Sequence, residues 1–284
     1  MNLGFAINYL EVYNMVVEEL KNKKAYICDM DGVIYHGNKL LNGVVSFVDW
    51  LTDEKKEYIF LTNSSERSPE ELCQKLSRLG LDVPKERFYT SALATASFLQ
   101  SQAPGGSVYV IGEAGLINAL YNSGFSINDV NPDYVVVGES RNYNIEKIEK
   151  AVHLVLNGAK LIGTNPDLTG PTERGIVPAT RALISPIELA TGKQAYFIGK
   201  PNPLMMRTAR KKLGYASEET AIIGDRMDTD IIAGIESGMD TVLVLSGVTT
   251  EETMANFPYR PNYIFKGVGD MVDSFSQNNK TDND

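Results

Sequence analysis

Short apolar runs, each closed by a small, polar or acidic residue and followed by a stretch of helical periodicity, recur through the chain. They are Ala25 to Cys28 before Asp29, Glu57 to Leu61 before Thr62, Val108 to Ile111 before Gly112, and Tyr134 to Val137 before Gly138. Further on come Leu161-Ile162 before Gly163, Tyr196 to Ile198 before Gly199, Ala221 to Ile223 before Gly224, and Thr241 to Leu245 before Ser246. Runs this short and this poor in charge predict strands covered on both faces, and their alternation with helices predicts mainly parallel, doubly wound α/β sheets. The helices are legible as well. Val44 to Leu51 has helical spacing, and in the next helix Ser68 caps, Pro69 suits the first turn and Glu71 completes a capping box. Leu72, Leu76 and Leu79 form its buried stripe and Gly80 ends it. Leu10, Tyr13, Val17 and Leu20 predict a short amphipathic helix within residues 3–20, with Glu11, Glu18 and Glu19 on a polar face unsuited to a membrane surface.

These strand units outnumber what one open sheet of this size holds, and 284 residues suit two cores. The expected division is a discontinuous core of residues 21–90 and 194–272, with a second α/β lobe, 91–193, inserted into it. Residues 1–20 form an N-terminal helical extension, and 273–284, ending in SQNNKTDND, form a disordered tail.

Charge narrows the possible partners. A formal net charge of -9 without a cluster of Lys and Arg speaks against a nucleic-acid polymer, while small anions remain admissible where local positive charge exists. No apolar run approaches the ~20 residues needed to span a bilayer, and the N-terminus lacks the features of a signal peptide. A cytoplasmic setting is expected, with Cys28 and Cys73 as core residues in a reducing compartment.

The candidate chemistry lies where strands end. Asp29 and Asp31, one residue apart, point the same way beyond the first strand, and Gly32 permits a sharp turn after them. Taken alone, a D-x-D could equally be a pair of turn or capping aspartates. Thr62 and Asn63 offer a hydroxyl, an amide and backbone N–H groups suited to phosphate oxygens, although T-N-S-S is also a good turn sequence. Lys200, between Gly199 and Pro201, can offset clustered carboxylates or a bound anion. Asp225 ends another strand, and Asp230 opens a helix predicted over 230–237. Two carboxylates ~4 Å apart repel by ~4 kcal/mol at an effective dielectric near 20, so such a cluster calls for a cation. Oxygen-only ligands indicate Mg²⁺ rather than zinc. His36 reads as a loop residue and His153 as structural. Gly112 and Gly115 make up only half of a dinucleotide fingerprint, so NAD binding is rejected.

The motifs D-x-D-G, T-N, G-K-P and G-D-x-x-x-T-D occur in the order of the haloacid dehalogenase superfamily, which the chain resembles. The long insertion resembles the C2-type cap of the NagD branch, and the likeness continues through FYTSALATASFL, DVNPDYVVVGE, GTNPDLTGP, FIGKP, SEETAIIGD and LVLSGVT, over roughly residues 24–270. The resemblance implies a Rossmann-like core of this superfamily, a doubly wound parallel sheet, with an inserted α/β cap. It implies that Asp29 attacks phosphorus to form an aspartyl-phosphate and that Asp31 serves as acid and then base. Mg²⁺ would be held by the Asp29 and Asp225 carboxylates and the Asp31 backbone carbonyl, with Asp230 orienting the outer shell. Thr62, Asn63 and Lys200 would bind the phosphoryl group, and Arg226, Met227, Asp228 and Thr229 would line its pocket. In the loop Thr164 to Gly175, Asn165 and Asp167 are candidates for leaving-group recognition. Two departures from the NagD pattern bear on specificity: the extra residues in PTERG, and Arg181 where glycine is common.

The expected activity is hydrolysis of small phosphomonoesters, first nucleoside 5′-monophosphates such as UMP and next sugar phosphates. The expected partners are a small phosphorylated metabolite and, through cap surfaces, a second copy in a homo-oligomer, with no nucleic-acid polymer and no membrane. The competing reading is an idle member that binds a phosphorylated ligand or a protein through the cap.

Overall fold

A computed structural model of the chain describes residues 9–172 and 175–281. Residues 3–8 of the expected N-terminal helix, and Glu173 and Arg174 of PTERG, lie outside the described residues. Contacts group the chain into two units. One comprises the chain up to Tyr35, Leu40–Tyr58 and everything from Leu213 onward; the other comprises His36–Lys39 and Ile59–Lys212.

In the first unit the strand Thr220–Gly224 runs parallel to Ala25–Cys28 on one side and to Asp240–Val244 on the other, and Tyr263–Phe265 pairs outside the latter. Every residue of Ala25–Cys28 and Thr220–Gly224 is buried, as an uncharged run covered on both faces requires. Glu57, at the start of the strand Glu57–Thr62, donates its N–H to the Lys24 carbonyl at 3.0 Å. Parallel pairing aligns the carboxyl ends at one edge, where ligands bind in open α/β sheets. The Asp29 N–H donates to the Ile223 carbonyl at 2.8 Å, so Asp29 leaves the sheet one step past its strand and level with Gly224.

The N-terminal helix Tyr9–Lys21 buries Val17 and Leu20 as its spacing requires. Lys56 holds the chain at and just past its end, donating through Nζ to the carbonyls of Lys21 at 2.8 Å and Lys23 at 3.0 Å. The chain's end departs from expectation. Instead of a disordered tail from 273, the helix Val268–Thr281 continues past that point, with Met271 and Phe275 buried one turn apart. Packing explains this. Phe275 lies 4.8 Å from Trp50, which also meets Tyr26 at 5.4 Å and Phe47 at 6.4 Å. The helix Val44–Asp53 approaches this closing helix through Gly43 and Gly269. A Cβ built on Gly43 would stand 2.3 Å from the Gly269 Cα, so only glycine allows the crossing. The polar composition of 276–284 conceals two anchors just upstream.

In the second unit five parallel strands lie in the order Tyr196–Phe197, Lys160–Gly163, Tyr134–Val137, Ser107–Ile111, Ser126–Ile127. Val135, Val137, Ile111 and Leu161 from this sheet pack against Leu154 and Val155 of the helix Ile145–Leu156 and Ile184 and Ile187 of Thr180–Thr191. Tyr196–Phe197 thus belongs to this sheet, although the expected boundary at 193/194 assigned it to the core. Gly163 is the reason, since a Cβ there would stand 2.4 Å from the Phe197 ring. Glu57–Thr62 pairs in parallel with Phe88–Thr90, with Phe60 opposite Phe88. The segment after Asn165 contains an antiparallel hairpin, Thr169–Thr172 with Gly175–Pro178, whose prolines and glycines hide the strand signal. Among the described residues no helix is long and apolar enough to cross a membrane.

Trp50 is the chain's single tryptophan, so its fluorescence reports the packing of Phe275 directly. Replacing Phe275 by Ala should cost about 3–5 kcal/mol in urea denaturation followed by that signal. A loss below about 1 kcal/mol would show that the C-terminal helix does not brace this core.

Candidate active site

In the first unit Asp29, Asp225 and Asp230 each bring a carboxylate oxygen within 4.8 Å of the others. Asp225 and Asp230 are inaccessible, and Asp29, taken as a whole residue, is half-buried. Glycines make the cluster sterically feasible. A Cβ on Gly247 would stand 1.9 Å from Asp225 Oδ2, one on Gly32 2.5 Å from the same oxygen, and one on Gly224 2.2 Å from the Asp230 Cβ. Gly32 also has φ +80°, a left-handed conformation that favours glycine. The Val248 N–H donates to Asp225 Oδ2 at 2.7 Å, and Ser246 Oγ donates to the Gly32 carbonyl at 2.6 Å. The residues fit a hard divalent cation, because every donor is an oxygen and the convergence of three acids needs positive charge among them.

Asp230 reaches the cluster through an unexpected turn. Instead of an α-helix starting at Asp230, residues Met227–Ile231 form a π-turn, and the α-helix spans Ile232–Glu236. The N–H groups of Asp230 and Ile231 both donate to the Arg226 carbonyl at 3.1 Å. Asp230 Oδ2 accepts the Arg226 N–H at 3.2 Å and lies 3.5 Å from Thr229 Oγ1. π-Turns concentrate at functional sites, and no helical periodicity announces one.

Asp31 is not one of the three acids that meet. Its Oδ2 accepts the Tyr35 hydroxyl at 3.2 Å, and the turn between them closes through the Gly32 N–H and Tyr35 carbonyl at 2.9 Å. Tyr35 was missed, although its spacing of four from Asp31 is readable. The 226–229 segment divides. Arg226 makes a two-pronged contact with Asp228, at 3.1 and 2.9 Å. Met227, expected in the pocket wall, is turned into an apolar cluster with Ile231 and Leu243, packed by Phe257 and Tyr259, because this site behind the turn is hydrophobic.

In the second unit the strand-end residues form a buried polar brace. Asn63 Oδ1 accepts the Lys200 N–H at 2.7 Å, while its Nδ2 donates to the Lys200 carbonyl at 3.0 Å and to Asp167 Oδ2 at 3.1 Å. The side-chain amide of Asn63 is therefore committed to the Lys200 main chain and Asp167 rather than presented to an anion. Gly199 is required beside it, since a Cβ there would stand 2.6 Å from Asn63 Oδ1. Thr62 Oγ1 accepts the Ser64 N–H at 3.1 Å. Asn165, fully buried, donates through Nδ2 to the Asn63 carbonyl and to Glu139 Oε1, both at 2.7 Å, and its Oδ1 accepts the Asp167 N–H at 3.2 Å. Asn165 and Asp167, expected to meet the leaving group, thus spend side-chain contacts on this brace.

The residues set apart by sequence have local explanations. Arg181 pairs with Glu188, lies over the Phe197 ring at 5.3 Å and donates its N–H to the Asp167 carbonyl at 3.0 Å, so its charge is absorbed by packing. Gly115 sits against the Arg67 backbone, 2.6 Å from where its Cβ would be. Cys28 is fully buried, and burial, aided by nearby Asp29, pushes its thiol far above the usual range. His36 and His153 are exposed.

A haloacid dehalogenase-like hydrolase family model matches residues 26–126, and a HAD-hydrolase-like model matches 197–271. Dihydroxyacetone phosphatase of Corynebacterium glutamicum is 46% identical, over 88% of this chain and 90% of that protein. Ribonucleotide monophosphatase NagD of Escherichia coli is 44% identical, over 87% of this chain and 98% of that protein. The solved structure of E. coli NagD aligns with a TM-score of 0.83 over the same shares. Acid sugar phosphatase of Staphylococcus aureus is 41% identical, over 89% of this chain and 98% of its own. The fold, the order of the motifs and these likenesses agree, and the chain belongs to the haloacid dehalogenase-like hydrolases, in their NagD-like branch of phosphatases.

Proposed function

We propose that the protein is a Mg²⁺-dependent phosphatase of small phosphomonoesters that works through a phosphorylated Asp29. The observation that carries this reading is the convergence of Asp29, Asp225 and Asp230 within 4.8 Å, walled by glycines. Asp29 and Asp225, with the Asp31 carbonyl, would hold the ion, and Asp230 would orient its surroundings from behind. Bound there, Mg²⁺ supplies the positive charge that lets the acids and phosphate oxygens share one place. The Asp29 carboxylate attacks phosphorus, and the bond to the leaving alkoxide breaks as Asp31 gives that oxygen its proton. Asp31 then takes a proton from water, whose oxygen attacks phosphorus and releases Asp29 and inorganic phosphate. The Tyr35 hydroxyl, 3.2 Å from Asp31 Oδ2, keeps that carboxyl oriented through both steps. The Thr62 hydroxyl, the Asn63 backbone N–H and the Lys200 ammonium take the phosphoryl oxygens, since transfer is catalysed mainly by position and charge.

The first substrate class is nucleoside 5′-monophosphates, UMP among them, as the name of the E. coli relative supports. Small sugar phosphates are the second reading, favoured by the names of the C. glutamicum and S. aureus relatives. Chemistry is assigned to a discontinuous core, 21–90 and 198–281, and selection of the leaving group to a C2-type cap, 91–197, with the strand Tyr196–Phe197 on the cap side. Parallel assays of UMP, dihydroxyacetone phosphate and hexose phosphates with added Mg²⁺ separate the two.

Asp29→Asn should lower turnover of p-nitrophenyl phosphate by at least about a thousandfold without lowering the melting temperature of the metal-free chain. Full turnover would end the covalent route. Wild-type activity should vanish in EDTA and return with excess Mg²⁺, whereas a protein idle in both conditions fits the ligand-binding alternative. Gly247→Ala places a methyl group against Asp225 Oδ2. It should raise the Mg²⁺ concentration for half-maximal activity by about 10–100-fold, and an unchanged requirement would remove Asp225 from the metal site.

A further inference from the structure

Glu139 follows the strand Tyr134–Val137 and Gly138, and no step of the reaction uses it. The residue as a whole is half-buried, but its carboxylate points inward. Its Oε2 accepts the Ser65 N–H at 3.0 Å and also the Ser65 hydroxyl, while Oε1 accepts Asn165 Nδ2 at 2.7 Å. Ser65 and Asn165 are both completely buried. Gly138 leaves room for this arrangement, because a Cβ there would stand 2.4 Å from Ser65 Oγ. Burial pushes the Glu139 carboxyl above the usual carboxylate range, and the hydrogen bonds from Ser65 and Asn165 oppose that shift. The Asn165 amide that meets Glu139 also holds the Asn63 carbonyl, and the Asn63 amide holds both main-chain groups of Lys200.

We infer that Glu139 is a positioning residue: acting through Asn165 and Ser65, it fixes the spacing between the Thr62–Asn63 strand end and Lys200. The inference rests on the phosphatase reading, in which that edge grips the phosphoryl oxygens. Misplacement of such groups by ~1 Å can cost about a hundredfold in rate. Each named contact of Glu139 comes from a donor, so a neutral amide of the same shape cannot replace it. If the amide NH₂ of a glutamine faced Ser65, it would meet a backbone N–H that cannot reverse. If it faced Asn165, that side chain would have to turn, losing the Asn63 carbonyl and the Asp167 N–H. Either way one link of the brace fails.

The test is Glu139→Gln in the full chain with Mg²⁺. It is assayed with p-nitrophenyl phosphate and with UMP, for inhibition by inorganic phosphate, and for melting temperature with and without phosphate. The expected result is a fall of about 10–100-fold in kcat/KM, equal for the two substrates, with a rise of about tenfold in the phosphate inhibition constant. Ser65→Ala, which removes one of the three hydrogen bonds, should move the same quantities about threefold and serves if Glu139→Gln does not fold. A lower melting temperature with unchanged phosphate inhibition and kcat/KM would show a merely structural acid and overturn the inference. A loss confined to UMP would also overturn it, since that would place the effect on the leaving group. If the wild-type chain hydrolyses neither substrate, the phosphatase reading fails instead, and the phosphate-induced rise in melting temperature still reports the grip. An equal rise in wild type and Glu139→Gln would then refute positioning.

Discussion

Like charges brought together without water demand compensation, and the first unit is arranged around that demand. Asp29, Asp225 and Asp230 are not neighbours in sequence, yet parallel pairing of Ala25–Cys28 with Thr220–Gly224 brings the first two to one sheet edge. The π-turn at Met227–Ile231 brings back the third. At ~4 kcal/mol for each pair ~4 Å apart, repulsion on this scale is a large share of the stability of a typical domain. Gly32, Gly224 and Gly247 stand where any side chain would force the acids aside. Three glycines keep these acids together, and a cation bound among them would stabilise the folded chain, because the unfolded chain offers no such site.

The second unit answers a different problem, holding a lysine main chain still without using its charge. Asn63 grips the N–H and carbonyl of Lys200, Asn165 grips the carbonyl of Asn63, and Glu139 grips Asn165 and Ser65. Such a network gains by being complete, because each buried polar group left unmatched would cost about 1–3 kcal/mol. The side chains of Asn63, Asn165 and Asp167, which looked like ligand contacts, thus serve this brace as supports.

What could be read in the sequence was whatever local rules determine. The capping box at Ser68 and Glu71, the strands Ala25–Cys28 and Tyr134–Val137, and the helix beginning at Val44 follow from periodicity and caps, and the structure carries them. The meeting of Asp29 and Asp225 was legible because parallel strands put their carboxyl ends on one edge, whereas the turn that returns Asp230 to them was not. Features that depend on distant partners were hidden. The closing helix was obscured by its polar end, since its anchors are distant: Phe275 on Trp50 and Gly269 against Gly43. The hairpin at 169–178 was masked by proline and glycine, and the π-turn has no periodic signature. Asn63 was recognised as important, but the partners of its amide come from residues 167 and 200, far along the chain.

Calorimetric titration of Mg²⁺ into the metal-free full chain, beside Asp225→Asn, asks whether the acids of the first unit hold one divalent ion. One ion per chain should bind to the wild type, with binding abolished or weakened by at least about tenfold in the variant. No binding to the wild type, or equal affinity in both proteins, would mean that these acids hold no such ion.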